Sequence, residues 1–269
     1  KGDMRIASFL ILCTYFVKAI LVPTHAPLHR RDLLRNTALI AGIVVPTIAA
    51  ADATEWRDPR WESLDLKGTT IPLRSVELAA RSDYIGQTGL YPDPLLRQIA
   101  SPVTTFGPSI EKVADMLVAG MKSNATTALQ YGIDARIIAL KGPASPNSTP
   151  LVFINPNIIS RSGEERMVTW REYCFVLPPN LHVELQRDEA IEAVGQDVRG
   201  IPVRKTLRGE AARAFQHELD HLDGILIIDH AGLEELPSDI AKLEAPYHVA
   251  RQRRAFERRT YQGTEPLYY

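Results

Sequence analysis

Two histidines and a glutamate within residues 216–224, QHELDHLDG, have the types and spacing of a hydrolytic metal site. On a helix, His217 and His221 lie one turn apart on the same face, so both imidazoles can reach one metal ion. Glu218 lies about 100° around the helix from His217, where its carboxylate can contact a water on that ion without being a ligand. The segment therefore supplies two ligands and a base, and it lacks a third ligand and an oxyanion partner.

The residues around this segment predict a buried helix that carries the histidines. Residues 209–215 are good helix formers, and Gly224 is typical of a C-terminal helix end. Apolar residues recur at helical spacing and predict one buried face; they are Ala211, Ala214, Phe215, Leu219 and Leu222. Because burying two unpaired histidines and a glutamate for packing alone is unfavourable, the pattern favours metal binding.

The third ligand decides the class of hydrolase. A metzincin needs a third histidine shortly after Gly224, and Ile227 stands there instead, so that class is excluded. A thermolysin-like zinc protease would take a glutamate from a downstream helix. The available glutamates are Glu234, Glu235 and Glu244.

A cysteine is the other source of a third ligand. The chain has two cysteines, and Cys13 lies in a predicted leader, so Cys174 has no partner for an internal disulfide in the folded part. A free cysteine is commonly a small buried hydrophobe. Beside the two histidines, however, Cys174 is better interpreted as a metal ligand.

Several separated blocks of the chain resemble the peptide deformylases, in that family's order. The blocks are YPDPLLR (91–97), SPV (101–103), NPNI (155–158), EYC (172–174) and the fully matching QHELDHLDG (216–224). The resemblance covers roughly residues 84–235, and the lead-in ARAF (212–215) is most similar to plant organellar deformylases. It implies an α+β fold in which antiparallel strands pack around a central metal-binding HExxH helix.

The resemblance also implies an activity, the hydrolysis of N-formyl-methionyl peptides on nascent chains. The residues that would hold one Fe2+ or Zn2+ per chain are Cys174, His217 and His221. Glu218 would take the proton as water attacks the formyl carbon and would then deliver it to the leaving amine. The Gln130 amide and the backbone N–H of Phe175 would help the metal to hold the oxyanion.

Positions that would face the substrate depart from the family's motifs. Ala125 replaces a glycine of the first motif, and Tyr173 replaces the glycine beside the cysteine, where a bulky ring would narrow the groove. Glu210 replaces an apolar residue of the methionine pocket, to which Ala214 also belongs. A carboxylate there disfavours an apolar substrate side chain. A non-catalytic deformylase-like protein that binds peptide N-termini therefore stays open as an alternative, beside the zinc protease.

Composition and the N-terminal pattern predict an enzyme preceded by a targeting leader. The 269 residues are 45% hydrophobic, which suffices for a sizeable core, and the net charge of −1 gives no indication of DNA binding. Residues 1–51 hold two apolar runs separated by Arg30 and Arg31, as in a bipartite organellar leader that suits a plastid better than a mitochondrion. A membrane anchor or two buried helices is the alternative; after leader removal, no stable membrane association is expected.

Hydrophobic periodicity behind the leader predicts the order of the elements. Residues 52–83 are predicted as a linker or extension, 84–235 as the catalytic domain and 236–269 as a C-terminal helix with an arginine-rich tail, which either contacts ribosomal RNA or is a solvated helix face. A helix is predicted over 109–123. Strands are predicted over 136–140, 151–155, 182–186, 191–195 and 201–206.

Overall fold

The computed structural model describes residues 71–82, 85–145, 147 and 149–260, and it confirms the α+β class. Its helices are α1 (Val76–Arg81), α2 (Pro108–Gly120), α3 (Gly209–Leu222), α4 (Ser238–Glu244) and α5 (His248–Thr260). Its strands are β1 (Ala125–Thr127), β2 (Ile137–Leu140), β3 (Leu151–Arg161), β4 (Met167–Tyr173), β5 (His182–Asp188), β6 (Ala190–Gln196) and β7 (Pro202–Arg208). The predicted leader, residues 1–51, lies outside the described residues. Within the described part, no helix is both long enough and apolar enough to cross a membrane.

The strands form two antiparallel sheets. Five strands pair in the order β1-β2-β3-β6-β7, and β4 pairs with β5 in a separate two-stranded sheet. The α3 helix packs on the larger sheet, where the rings of Phe153 and Phe215 meet edge to face with their centroids 5.0 Å apart. The α3 helix, which carries His217 and His221, also packs against β5 of the smaller sheet and is buried, as the sequence predicts.

The predicted strands are all present, and most are longer than their periodicity indicates. Two further strands, β1 and β4, were not predicted. All three residues of β1 are buried, so its sequence shows no alternation of polar and apolar residues. In β4 the one buried residue is Glu172, a charged side chain that pattern reasoning assigns to solvent. The missed strand thus carries a buried carboxylate immediately before Cys174.

The segment Asn155–Pro156 interrupts the pairing of β3 with β6. Asn155 has a positive φ of 49°, and the register shifts between Ile154 and Asn157. Pro156 cannot donate to the ladder, and such residues are tolerated at bulges. Opposite this bulge, a Cβ atom on Gly195 would lie 2.7 Å from the carbonyl oxygen of Ile154, so only glycine allows the close approach.

The C-terminal helix α5 is attached to the domain by a buried carboxylate between two arginines. Asp223 Oδ1 lies 2.8 Å from Arg136 Nη1, and Asp223 Oδ2 lies 2.7 Å from Arg258 Nε. The side chains are almost fully buried, with exposed fractions of 1% for Arg136, 2% for Arg258 and 0% for Asp223. Arg258, which belongs to the arginine-rich tail, is therefore part of the core.

Asp223→Asn is expected to lower the free energy of unfolding by about 3–5 kcal/mol, because it leaves two buried guanidinium groups without a counter-charge. Urea denaturation of the full chain measures this loss. Glu192→Gln serves as the matched control, since Glu192 pairs with Arg204 on the surface of the sheet and its loss should leave the transition unchanged. Coincident transitions for wild type and Asp223→Asn would contradict a stabilising role for this cluster.

Candidate metal centre and active site

Three ligand-type atoms converge in the interior of the domain. Cys174 Sγ lies 3.2 Å from His221 Nε2, and His221 Nε2 lies 3.2 Å from His217 Nε2. All three residues are buried, and their ligand atoms lie within 4.8 Å of one another. Metal–ligand bonds of 2.0–2.3 Å at tetrahedral angles separate ligand atoms by roughly 3.3–3.7 Å. The donor set therefore fits one metal ion, and no other such cluster occurs among the described residues.

Separate elements bring these donors together. His217 and His221 project from one face of α3, four residues apart, as predicted. Cys174 follows the last residue of β4, where the backbone turns back and Leu177 N donates to Cys174 O at 3.0 Å. The i, i+4 spacing fixes the two histidines locally, whereas the pairing of β4 with β5 places the cysteine against them.

A buried glutamate orients the first histidine. His217 Nδ1 lies 2.7 Å from Glu172 Oε2. Since a carboxylate only accepts, Nδ1 carries the hydrogen of this bond, and Nε2 is the nitrogen that lies against the other donors. Burial raises the pKa of Glu172, but Arg187 and His217 outweigh this effect and hold that pKa well below its usual range. Glu172 is thus an ionised acceptor for the N–H of His217.

Glu218 has the environment of a general base. Its side chain is buried, and its Oε2 atom has no hydrogen-bond partner among the described residues. Burial raises the pKa of Glu218 to about 7, against the opposing charges of His217 and Arg213. A carboxylate with a pKa near neutrality exchanges protons readily at physiological pH. The unpartnered oxygen beside the donor set is where a reacting water would be held.

The predicted oxyanion amide is held in one orientation. Gln130 Oε1 accepts hydrogen bonds from Thr126 Oγ1 at 2.7 Å and from the backbone N–H of Thr127 at 3.0 Å. The Nε2 atom is buried and has no partner among the described residues, so its N–H groups are available to a ligand. Gly132 ends this turn at φ 71°, where a Cβ atom would lie 3.0 Å from the carbonyl oxygen of Pro72.

For the hydrolysis that the sequence predicts, Gln130→Met is expected to lower kcat by about 10²–10³-fold, because it removes the donor to the predicted oxyanion at nearly constant volume. Binding of the metal should be unaffected, since Gln130 is not in the donor set. Steady-state kinetics of the metal-loaded protein measure the effect. A kcat within a factor of about two of wild type would show that this amide does not act in the reaction.

The other residues that the sequence predicts to face the substrate differ in how far they are exposed to solvent. Ala125 and Ala214 are buried at 5% and 1% exposure, and Phe175 is half-buried beside Cys174. The ring of Tyr173 is 56% exposed and lies against His182, with ring centroids 5.5 Å apart. Because strand residues alternate faces, Tyr173 projects away from the buried side chain of Glu172 rather than across it.

Glu210 is paired instead of presenting a free charge. Arg213 donates to both of its carboxylate oxygens at 2.7 Å, and the same guanidinium lies 3.7 Å from Glu172. Arg213 also lies over the ring of Trp170, 5.9 Å from its centroid. The carboxylate that sequence comparison placed in the methionine pocket is thus largely neutralised by its neighbour one turn along α3.

The downstream glutamates considered as third ligands lie elsewhere. Glu244 accepts hydrogen bonds from Tyr91 Oη at 2.7 Å and from Arg97 Nη2 at 3.2 Å. Glu234 and Glu235 lie in the 3-10 helix Leu233–Glu235, which has no buried residue. None of the three belongs to the donor cluster.

Sequence reasoning missed a buried arginine next to the site. Arg187 contacts Glu172 through Nε at 3.0 Å and Asp220 through Nη1 at 2.6 Å. A signal existed: Arg187 lies in register with Val183 and Leu185 on the buried face of β5. An arginine at an inward strand position predicts a buried acidic partner.

The described residues contain a cluster of three donors that fits one metal ion, and Glu218 next to it has a pKa of about 7. The fold and the site together define a metal-dependent hydrolase of the α+β class. A family model described as polypeptide deformylase matches residues 88–236. Peptide deformylase from Desulforudis audaxviator is 36% identical over 144 residues, which are 52% of this chain and 90% of the relative. Peptide deformylase from Rhizobium meliloti is 36% identical over 145 residues, 52% of this chain and 82% of the relative. The chain belongs to the polypeptide deformylase family.

Solved structures agree with this assignment. Peptide deformylase 1B from Arabidopsis thaliana, crystallised with an inhibitor, aligns with a TM-score of 0.53 at 26% identity, covering 62% of this chain and 93% of that one. An actinonin-bound peptide deformylase from Acinetobacter baumannii aligns with a TM-score of 0.50 at 27% identity, covering 55% and 98%. The chain is a deformylase, a metal-dependent hydrolase that removes the N-formyl group from nascent proteins.

Proposed function

We propose that this chain deformylates N-formyl-methionyl proteins made in an organelle, with Cys174, His217 and His221 as ligands of one Fe2+ or Zn2+. The observation that carries the proposal is the burial of three donors in a domain that also buries two side chains with unsatisfied polar atoms. These are Glu218, next to His217 on α3, and Gln130, in the 3-10 helix Leu129–Tyr131 that contacts α3. Unsatisfied buried polar groups are costly and rare unless a ligand completes them. Water and a formyl amide supply what these two side chains lack.

The chain's own residues then have defined tasks. A bound ion supplies Lewis acidity. Glu218 Oε2 accepts the proton of the attacking water and transfers it to the nitrogen of the leaving amine, so that the C–N bond breaks into formate and a free N-terminus. Gln130 Nε2 and the backbone N–H of Phe175 donate to the developing oxyanion. Glu172 holds the His217 ring in the tautomer that presents Nε2.

The charge balance along α3 supports a methionine side chain as the first residue of the substrate. Arg213 pairs with Glu210, which reduces the cost of placing an apolar group near this carboxylate. Ala214, on the same helix, has a small apolar side chain that is buried in the core. These positions, together with Ala125 and Tyr173, are the residues at which the substrate preference of this chain would differ from that of its relatives.

Product analysis distinguishes the proposed activity from the zinc-protease alternative. The metal-loaded full chain is incubated with formyl-Met-Ala-Ser, and the products are identified by mass spectrometry. The proposal expects formate and intact Met-Ala-Ser. Cleavage after methionine would favour a protease, and recovery of unchanged peptide from a folded, metal-loaded protein would favour the non-catalytic alternative.

The proposed location is an organelle, a plastid in preference to a mitochondrion. Its support is the predicted leader in residues 1–51, with two apolar runs around paired arginines and few acids. Residues 1–83 fused to a fluorescent protein are expected to deliver it to the organelle. A fusion that stays in the cytosol would reject this proposal without affecting the enzymatic one.

We also propose that the arginine-rich tail contacts ribosomal RNA. Some of its arginines are engaged within the domain and cannot serve this contact. Arg258 is buried against Asp223, and Arg251 pairs with Glu244. Arg253 remains 79% exposed. Salt-dependent co-sedimentation with ribosomes that is lost in Arg253→Glu would support this contact.

A further inference from the structure

A continuous set of buried contacts connects His217 in the candidate metal centre to His230, which lies beyond the C-terminal end of α3. Glu172 accepts from His217 Nδ1 at 2.7 Å, and Arg187 donates to both oxygens of Glu172 at 3.0 and 3.2 Å. Arg187 Nη1 reaches Asp220 Oδ2 at 2.6 Å, and His230 Nε2 reaches the same oxygen at 2.9 Å. We call Glu172, Arg187, Asp220 and His230 the buried polar network.

The network is shielded from water along its whole length. The exposed fraction is 0% for the side chain of Glu172, 3% for Arg187, 8% for Asp220 and 7% for His230. Electrostatic contacts in such an environment are strong and depend on geometry. The contacts of 2.6 to 3.2 Å within the network therefore hold the four side chains in one arrangement.

His230 fixes the end of the network that lies away from the ligands. Since an ionised carboxylate only accepts, His230 Nε2 carries the hydrogen and donates it to Asp220. Asp220 is held at one oxygen by His230 and Arg187 together. Arg187 in turn presents its planar fork to Glu172, and a rigid fork transmits a displacement at one nitrogen to the others.

The position of His230 is set independently of the metal ligands. It is the last residue of the 3-10 helix Ile227–His230, which Asp229 anchors to Arg97 at 2.5 Å. The ring borders a cavity of about 450 Å³ between this helix and α5, whose lining includes Val249, Gln252 and Phe256. The imidazole thus lies between Asp220, which it contacts, and this cavity.

We propose that His230 is a positioning residue of the metal centre, acting through Asp220, Arg187 and Glu172 on the orientation of the His217 ring. The role requires the N–H donor of His230 rather than its bulk. Outer partners of metal-bound histidines contribute to metal affinity, with losses of 10–100-fold on mutation of the direct partner. Because His230 acts through three intermediate residues, a smaller loss of about three- to tenfold is expected.

The test compares two substitutions of His230 in the full chain. His230→Phe keeps the ring volume without a donor, and His230→Gln keeps a donor. The readouts are the Zn2+ dissociation constant from competition with a chelator and the thiolate-to-metal absorption band of the Co2+-loaded protein. We expect a three- to tenfold weaker affinity and a changed band in His230→Phe, with values close to wild type in His230→Gln.

Glu192→Gln is the matched control, because it removes a surface ion pair with Arg204 and no contact of the network. It is expected to leave the affinity for Zn2+ and the absorption band unchanged. Equal affinity and spectra in wild type and His230→Phe would overturn the proposal, as would an equal loss in Glu192→Gln. The proposal rests on the proposed metal centre; wild-type protein that binds no metal would reject that centre instead.

Discussion

Glu218→Gln is expected to lower the rate of formate release by about 10²–10⁴-fold while the protein still binds one metal ion. The substitution keeps the shape of the side chain but removes the oxygen that accepts a proton. Its buried Oε2 has no partner among the described residues, and its pKa of about 7 matches a group that both takes and returns a proton. Steady-state release of formate from formyl-Met-Ala-Ser, with metal content measured on the same sample, reports both quantities.

The matched control for this prediction is Glu189→Gln, which changes a glutamate that pairs with Arg166 on the surface. Its kcat and metal content should equal those of wild type. Full activity in Glu218→Gln would remove Glu218 from the reaction. Loss of metal together with activity would show that Glu218 supports the ligands and would leave its role as a base unproven.

Cys174→Ala is expected to weaken Zn2+ binding by more than about 100-fold, since losing a ligand should cost more than losing an outer partner of one. The thiol lies 3.2 Å from His221 Nε2 and is a member of the one donor cluster found in the described part of the chain. Chelator competition measures the affinity, and the melting temperature of the metal-free protein shows whether the domain still folds.

Glu244→Gln is the informative counterpart of this substitution. In the protease alternative a downstream glutamate would complete the site, so Glu244→Gln would lose metal and Cys174→Ala would retain it. In the structure Glu244 instead binds Tyr91 and Arg97, so its loss should destabilise the fold and spare metal binding. Retention of metal by Cys174→Ala would contradict the assignment of Cys174 as a metal ligand.

The residues of the site that can be predicted from the sequence are those that lie on a single helix. His217, Glu218 and His221 belong to α3, and their spacing alone fixes their relative directions. The same periodicity predicted the burial of this helix. Cys174 was identified by resemblance and by the absence of another cysteine in the folded part, and its proximity to His221 depended on the tertiary fold.

The unpredicted part depends on register between elements. Glu172 and Arg187 are 15 residues apart and lie on the same face of the β4–β5 pair. The backbone of Arg187 pairs with Val168, and its long side chain reaches along the face to Glu172. Asp220 meets His230 only because the backbone reverses after α3 at Gly224, which has a φ of 68°. A Cβ atom on Gly224 would lie 2.7 Å from the carbonyl oxygen of Arg97, so glycine is required for this close approach.

The orientation of Tyr173 illustrates the same limit. The sequence alone predicts that a bulky ring beside Cys174 narrows the substrate groove, and it does not give the direction in which the ring points. In β4, adjacent residues face opposite sides, so Glu172 is buried while Tyr173 is 56% exposed. Because the sequence of β4 does not alternate between polar and apolar residues, it does not show that these two side chains point to opposite sides of the strand.

The most direct test of the central claim is formate release by the full chain before metal removal, after treatment with a chelator, and after anaerobic reloading with one equivalent of Fe2+ or Zn2+. The predicted result is turnover of formyl-Met-Ala-Ser that is lost with the metal and restored in proportion to the metal returned. Formate release that persists in the metal-free protein would contradict a metal-dependent site. So would a folded protein that holds one metal ion and releases no formate.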